Sequence, residues 1–216
     1  MLFCHIDSKV EGRKHPDLRR EKKLQGLPSL AFLDQEGRVL IKVPHRQRTI
    51  PGLRKAADRA VEYLRLRTQS AGADAKPRAK ALFLRMQLQE RQLPLAEAIR
   101  ARKGLEVDKA LLTELDLLIL HLSIQDRLRR AGQKGRADLG PAFWKMWTEG
   151  PKPGPRVGRG FWYAILEWAE RERKVDVFAK ALESFRTSLG VTDPDASWVP
   201  GLLQRYETKL AALRKS

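Results

Sequence analysis

Apolar positions along this chain follow two rhythms, and the change between them falls near residue 70. Before it, short apolar runs alternate with charged stretches. Leu2-Phe3-Cys4-His5-Ile6 reads as a short strand ended by Asp7. Pro16 to Gln25 reads as a short helix with Leu18 and Leu24 on its buried side and Gly26 ending it. Pro28 to Leu33 is a predicted buried strand and Arg38 to Val43 its return. Between them Asp34-Gln35-Glu36-Gly37 forms a tight turn, with Gly37 able to take the positive φ that closes a hairpin. Ile50 to Arg67 is predicted helical, with Leu53, Ala57, Ala60, Val61 and Leu64 at the three- and four-residue spacing of a buried face.

Residues 70–75 are small and polar, as a linker would be, and everything after them has helical periodicity. Helices are predicted over 76–92, 94–102, 108–131, 141–149, 160–173, 176–189 and 197–213. In the longest, Leu111, Leu115, Leu118 and Leu122 make one stripe, which Leu112 and Ile119 widen as burial on two sides requires. Short connections imply antiparallel hairpins of helices. The pairing resembles tetratricopeptide-type solenoids, but no clean repeat of about 34 residues recurs, so an irregular array is expected.

Composition narrows the chemistry. With 216 residues, 42% of them hydrophobic, the chain can bury a real core. Its single cysteine excludes an intramolecular disulfide and a multi-cysteine zinc site. The net charge of +17 is spread along the chain: residues 1–69 carry +8, 70–140 carry +5 and 141–216 carry +4. The tightest cluster is Arg19, Arg20, Lys22 and Lys23, with Glu21 inside it. A dispersed field describes a solvated surface loosely attractive to polyanions, so nucleic acid ranks low among the expected partners. The N-terminus lacks the apolar run of a secretory signal, and the apolar stretch from Leu111 to Ile124 is too short and too charged for a membrane span. A soluble, cytoplasmic protein without membrane contact is expected.

The segment from Gly26 to Leu40, with its Gly-x-Pro step into a strand and its Asp-x-x-Gly hairpin, resembles the second half of a thioredoxin-fold domain. Residues 2–67 match that half in order: a strand ending in Asp, a helix, the proline step, a hairpin and a closing helix. On this resemblance Asp7 ends the central strand, Leu27-Pro28 takes the place of the cis-proline step and Gly37 is the hairpin glycine. The resemblance also implies a preceding strand–helix–strand and a Cys-x-x-Cys at a helix start, which this sequence does not contain. Redox exchange needs that pair, one thiolate to attack and a second to resolve. Cys4 lies in a strand without a partner thiol and reads as a buried strand residue. The chain therefore either lacks an upstream half or is a degenerate relative that keeps its remaining sheet as a platform.

The expected architecture is α+β followed by α: a partial thioredoxin-like βαββα unit over 1–69, a linker over 70–75 and an irregular α-helical hairpin array over 76–216. The resemblance implies that the backbone at Leu27 and Pro28 pairs with an extended peptide, although the proline could equally serve the turn alone. A second candidate surface is the aromatic segment from Phe143 to Trp168, where Trp144 and Trp147 lie among Lys145, Lys152, Arg156 and Arg159. Such a mixture can stack bases or grip a Pro-rich or carboxylate-bearing partner. Yet Phe161, Ile165 and Trp168 share one helical face and Trp162, Leu166 and Ala169 the adjacent one, the pattern of packing core.

The glycines of the 150–160 loop do not have the spacing of a phosphate cradle, and no Lys-Ser/Thr follows them. The histidines, at 5, 15, 45 and 121, lack metal-ligand spacing, and His121 reads as a hydrogen-bonded helix residue. No catalytic residue, metal or cofactor is expected, and the oligomeric state is left open. The expected function is a thioredoxin-like protein without its redox pair, acting by binding a protein or peptide. The alternatives are a non-enzymatic helical scaffold or adaptor and, ranked below it, a basic nucleic-acid-associated protein.

Overall fold

The computed structural model describes residues 2–5, 29–72, 74–150, 152–154, 157–192 and 196–215. The described chain is mostly helical with a small antiparallel sheet, an α+β composition. Strands β1 (Leu2–His5), β2 (Ser29–Leu33) and β3 (Val39–Val43) lie in that order across the sheet. Cys4 sits opposite Leu30 and Phe32 opposite Ile41, with a bulge between Phe32 and Leu33. The predicted helix over 16–25, Asp7 and the Gly26 stop fall outside the described residues.

The hairpin turn forms where its sequence places it. Gly37 takes φ of 73°, and its N–H donates to the Asp34 carbonyl at 3.1 Å. The Asp34 carboxylate organises the turn by accepting from the Arg38 N–H at 2.8 Å, from Arg38 Nε at 2.7 Å and from Arg67 Nη1 at 2.9 Å. Burial by itself would raise the pKa of this carboxyl, but the Arg67 and Arg38 hydrogen bonds outweigh it and hold the group well below the ordinary aspartate value. Arg67 comes from the next helix, so the turn is tied to the layer above the sheet.

That helix, α1 (Ile50–Ser70), starts at Thr49, whose hydroxyl accepts from the Gly52 N–H at 3.2 Å, with Pro51 in its first turn. Its buried residues are Ala56, Ala60, Tyr63 and Leu66. The face expected from apolar spacing is therefore rotated: Val61 is 67% exposed and Leu53 and Leu64 are partly buried. Tyr63 accounts for the shift, because its ring packs edge-on against Phe83 at 5.2 Å. Phe83 belongs to α2 (Pro77–Gln89), so α1 packs on the sheet and on α2 together.

The outer edge of β3 is occupied by side chains from the end of α2. Gln92 Nε2 donates to the Val39 carbonyl at 3.0 Å and also to the Leu40 carbonyl. Glu90 accepts from the Lys42 backbone and pairs with Arg59. Edge strands left bare invite pairing with other chains, and these two side chains occupy the groups that would pair.

Next come α3 (Leu95–Lys103) and α4 (Lys109–Ala131), the latter capped by Asp108, whose carboxylate accepts from the Leu111 N–H at 2.9 Å. The chain divides into two compact units, Met1–Leu115 and Asp116–Ser216, so the division falls inside α4. The compositional change at 70–75 is instead the turn between α1 and α2, where Gly72 has φ of 88°.

The second unit continues with α5 (Gly140–Glu149), α6 (Arg159–Arg171), α7 (Val175–Thr192) and α8 (Val199–Leu213). Helix α6 packs against both α5 and α7, and α7 against α8. Gly140 permits the closest of these approaches, since a Cβ there would lie 2.2 Å from the Trp168 Cβ and 2.7 Å from the Ala164 carbonyl oxygen.

Candidate functional site

Helix α6 is the centre of the second unit. Phe161, Trp162, Ala164, Ile165, Leu166, Trp168 and Ala169 are all buried on it, so both apolar faces read from the sequence are packing faces. Phe161 stacks on Phe143 at 4.9 Å, and Trp162 meets Trp147 edge-on at 4.8 Å. On the far side Trp162 stacks on Phe185 of α7 at 6.4 Å, and Tyr163 on Tyr206 of α8 at 6.1 Å. Burial first, with the charges around it second, pushes the Tyr206 hydroxyl up to about 12.

The candidate contact residues separate into different surroundings. Trp144 packs beside the core, where its carbonyl accepts from the Thr148 hydroxyl at 3.0 Å. Trp147 stands at the wall of a cavity of about 390 Å³, together with Lys152, Pro153, Gly154, Trp162, Ser184, Thr187 and Ser188. The Lys152 ammonium lies 5.7 Å from the centre of the Trp147 ring. Arg159 takes no part in that cavity. Its guanidinium lies 4.5 Å over Trp198, which is 38% exposed and stands just before α8. Arg156, Leu27 and Pro28 lie outside the described residues.

Sequence reasoning missed Trp198 and the three hydroxyls. Trp198 lies 39 positions from Arg159, beyond any local pattern. Ser184, Thr187 and Ser188 do have a signal, because on α7 they recur at three- and four-residue spacing and so share a face. Pro153 and Val157 are buried, which anchors parts of the Pro/Gly loop onto the core.

Two buried polar atoms stand out. The Trp162 Nε1–H, on a residue 1% exposed, has no hydrogen-bond partner. The Nε2 of His121, the residue that reads from the sequence as a hydrogen-bonded helix position, is buried without a partner. Burial accordingly lowers the pKa of His121, favouring its neutral form.

Among the described residues no three or more His, Cys, Asp or Glu come together as a metal site, and no helix is long and apolar enough to cross a membrane. Many of the basic side chains are tied to carboxylates: Arg136 to Glu167 at 2.8 Å, Lys209 to Glu170 at 2.6 Å and Arg171 to Asp138 at 2.6 Å. Comparison with family models, with curated proteins and with solved structures finds no match.

Proposed function

We propose that this chain works by binding a protein or peptide partner, with no chemistry of its own, and that it is a thioredoxin-like protein without the redox pair. The observation that carries the binding reading is the set of tryptophans held at the boundary of the second unit's core. Trp147 and Trp198 each stand beside a cation, Lys152 and Arg159, instead of being sealed inside. A tryptophan that keeps one face accessible next to a positive charge supplies large contact area at small entropic cost, the usual composition of an interface anchor. The thioredoxin-like part of the reading draws support from the Asp34–Gly37 hairpin, the helix that closes over it and the strand placement of Cys4.

Affinity enrichment from cell extract with the full chain and with a Trp147→Ala/Arg159→Glu variant, followed by direct titration of each recovered protein, tests the reading. A partner that binds the wild type directly and loses at least tenfold in affinity for the variant supports it. Equal binding to both proteins removes the aromatic boundary from the function. Insulin reduction by the chain, above the rate of free thiol, would overturn the non-catalytic half.

A further inference from the structure

The cavity beside Trp147 carries a more specific statement, one that rests on the binding reading above. Among the described residues its walls combine two tryptophans and a proline with one cation, Lys152, and three hydroxyls, Ser184, Thr187 and Ser188, and none of these described wall residues is a carboxylate. At about 390 Å³ it is near the small end of ligand pockets, which span roughly 300–1,000 Å³, so it suits a single end group better than an extended ligand. An apolar body is favoured by the tryptophan and proline walls. A negative charge is favoured by the ammonium, and the Ser184 hydroxyl supplies a donor to it, while the Thr187 hydroxyl donates to the Glu183 carbonyl at 3.2 Å. The shared chemistry is an apolar side chain with a carboxylate on the adjacent carbon.

We propose that this cavity takes the C-terminal residue of a partner polypeptide, its hydrophobic side chain against Trp147, Trp162 and Pro153 and its free carboxylate toward Lys152 and the Ser184 hydroxyl. A polypeptide end is favoured over a free acid because, although Trp162, Pro153 and Ser188 are buried, the cation of the wall is at the surface. Lys152 is exposed beside Trp147, so residues preceding the terminus have a surface to cross.

The buried Trp162 indole N–H gives a reporter within the wall. In the ¹⁵N-labelled full chain its resonance is assigned by its loss in a Trp162→Phe variant, and acetyl-Gly-Ala-Phe is then titrated as free acid and as C-terminal amide. The acid is expected to shift the Trp162 signal saturably, with the amide about three- to fivefold weaker. Lys152→Met, which keeps the stem and removes the charge, is expected to weaken the acid by the same factor and leave the amide unchanged. Acetyl-phenylalanine alone is expected to bind several-fold more weakly than the peptide acid. No shift with the acid, equal affinity of acid and amide, or acetyl-phenylalanine binding as tightly as the peptide each overturns the proposal. If the peptide fails while the enriched partner still depends on Trp147 and Arg159, only the cavity assignment falls. If neither holds, the binding reading falls with it.

Discussion

In the first unit a three-stranded sheet is covered by α1, which packs in turn on α2, and its core includes Leu40, Ile41, Val43, Ala56, Ala60 and Tyr63. In the second, the end of α4 and helices α5, α7 and α8 pack around α6, with a core that includes Phe143, Phe161, Trp162, Phe178, Phe185 and Tyr206. The first unit supplements its small aliphatic core with specific polar ties: Asp34 to Arg38 and Arg67, and Gln92 to the open edge of β3. The second keeps its ion pairs exposed or only partly buried, as with Arg136 and Glu167, and fills its interior with stacked rings. A small sheet leaves backbone groups and a layer edge that only polar side chains can satisfy, whereas helices satisfy their own backbone and leave the interior to shape. Surplus aromatic surface then reaches the boundary of the second unit, and there the candidate contacts lie.

The comparison breaks most readily at the rings. Phe161→Ala removes one member of the 4.9 Å stack from a site with no solvent exposure, and about 3–5 kcal/mol of stability should go with it. Chemical denaturation followed by near-ultraviolet circular dichroism measures this, and Leu40→Ala should cost about 2–4 kcal/mol in the first unit. An equal or larger loss for Leu40→Ala would contradict the contrast between the two cores. Next in size is Gly140→Ala. Its methyl would press on Trp168 and the Ala164 carbonyl, so a loss of about 1–3 kcal/mol is expected in the same assay.

The polar ties of the first unit are tested by acid. The folded pKa of Asp34 is depressed, so its stabilisation is present above the ordinary value of 3.8 and is lost as pH falls through the lower folded value. Asp34→Asn should cost about 1 kcal/mol at neutral pH and progressively less in strong acid. Urea midpoints across an acid series read the difference, and a gap that does not close would remove Asp34 as its source.

Tyr206 offers the alkaline counterpart. With the folded hydroxyl at about 12 against an ordinary value of 10.0, the second unit should lose stability as pH rises between them, because the unfolded chain releases its proton first. Phenolate absorbance should show late titration from Tyr206 and also from Tyr63, which burial raises as well, and Tyr206→Phe should remove the Tyr206 part of it. The smallest effect is expected from Arg159→Ala, about 0.5 kcal/mol for an exposed cation over an exposed ring. A larger loss would mean that the pair holds the start of α8 in place.

Much of this architecture was legible in the local pattern. Helix ends fell within a few residues of their capping signals, as at Thr49, Asp108 and Pro141, because caps and prolines act on the adjacent turn. The Asp34–Gly37 hairpin was legible for the same reason. The buried face of α1 was not, since Tyr63 turns inward only because Phe83 is there to receive it. The candidate site divides in the same way. Trp147 and Lys152 are near neighbours in sequence, and their mixture of rings and charge already marked the segment. Trp198 and the α7 hydroxyls were invisible as parts of a surface, because nothing local links them to α5 or α6.

The sequence by itself therefore determined the order of strands and α-helices among the described residues, the turn chemistry, the packing faces of α6 and the absence of a second thiol, each a matter of residues a few positions apart. Tertiary structure decided which tryptophans are sealed and which stay at the boundary, which arginine lies over which ring, and what lines the cavity beside Trp147. Those outcomes depend on side chains 10 to 40 positions apart meeting in space, and only the packed helices bring them together.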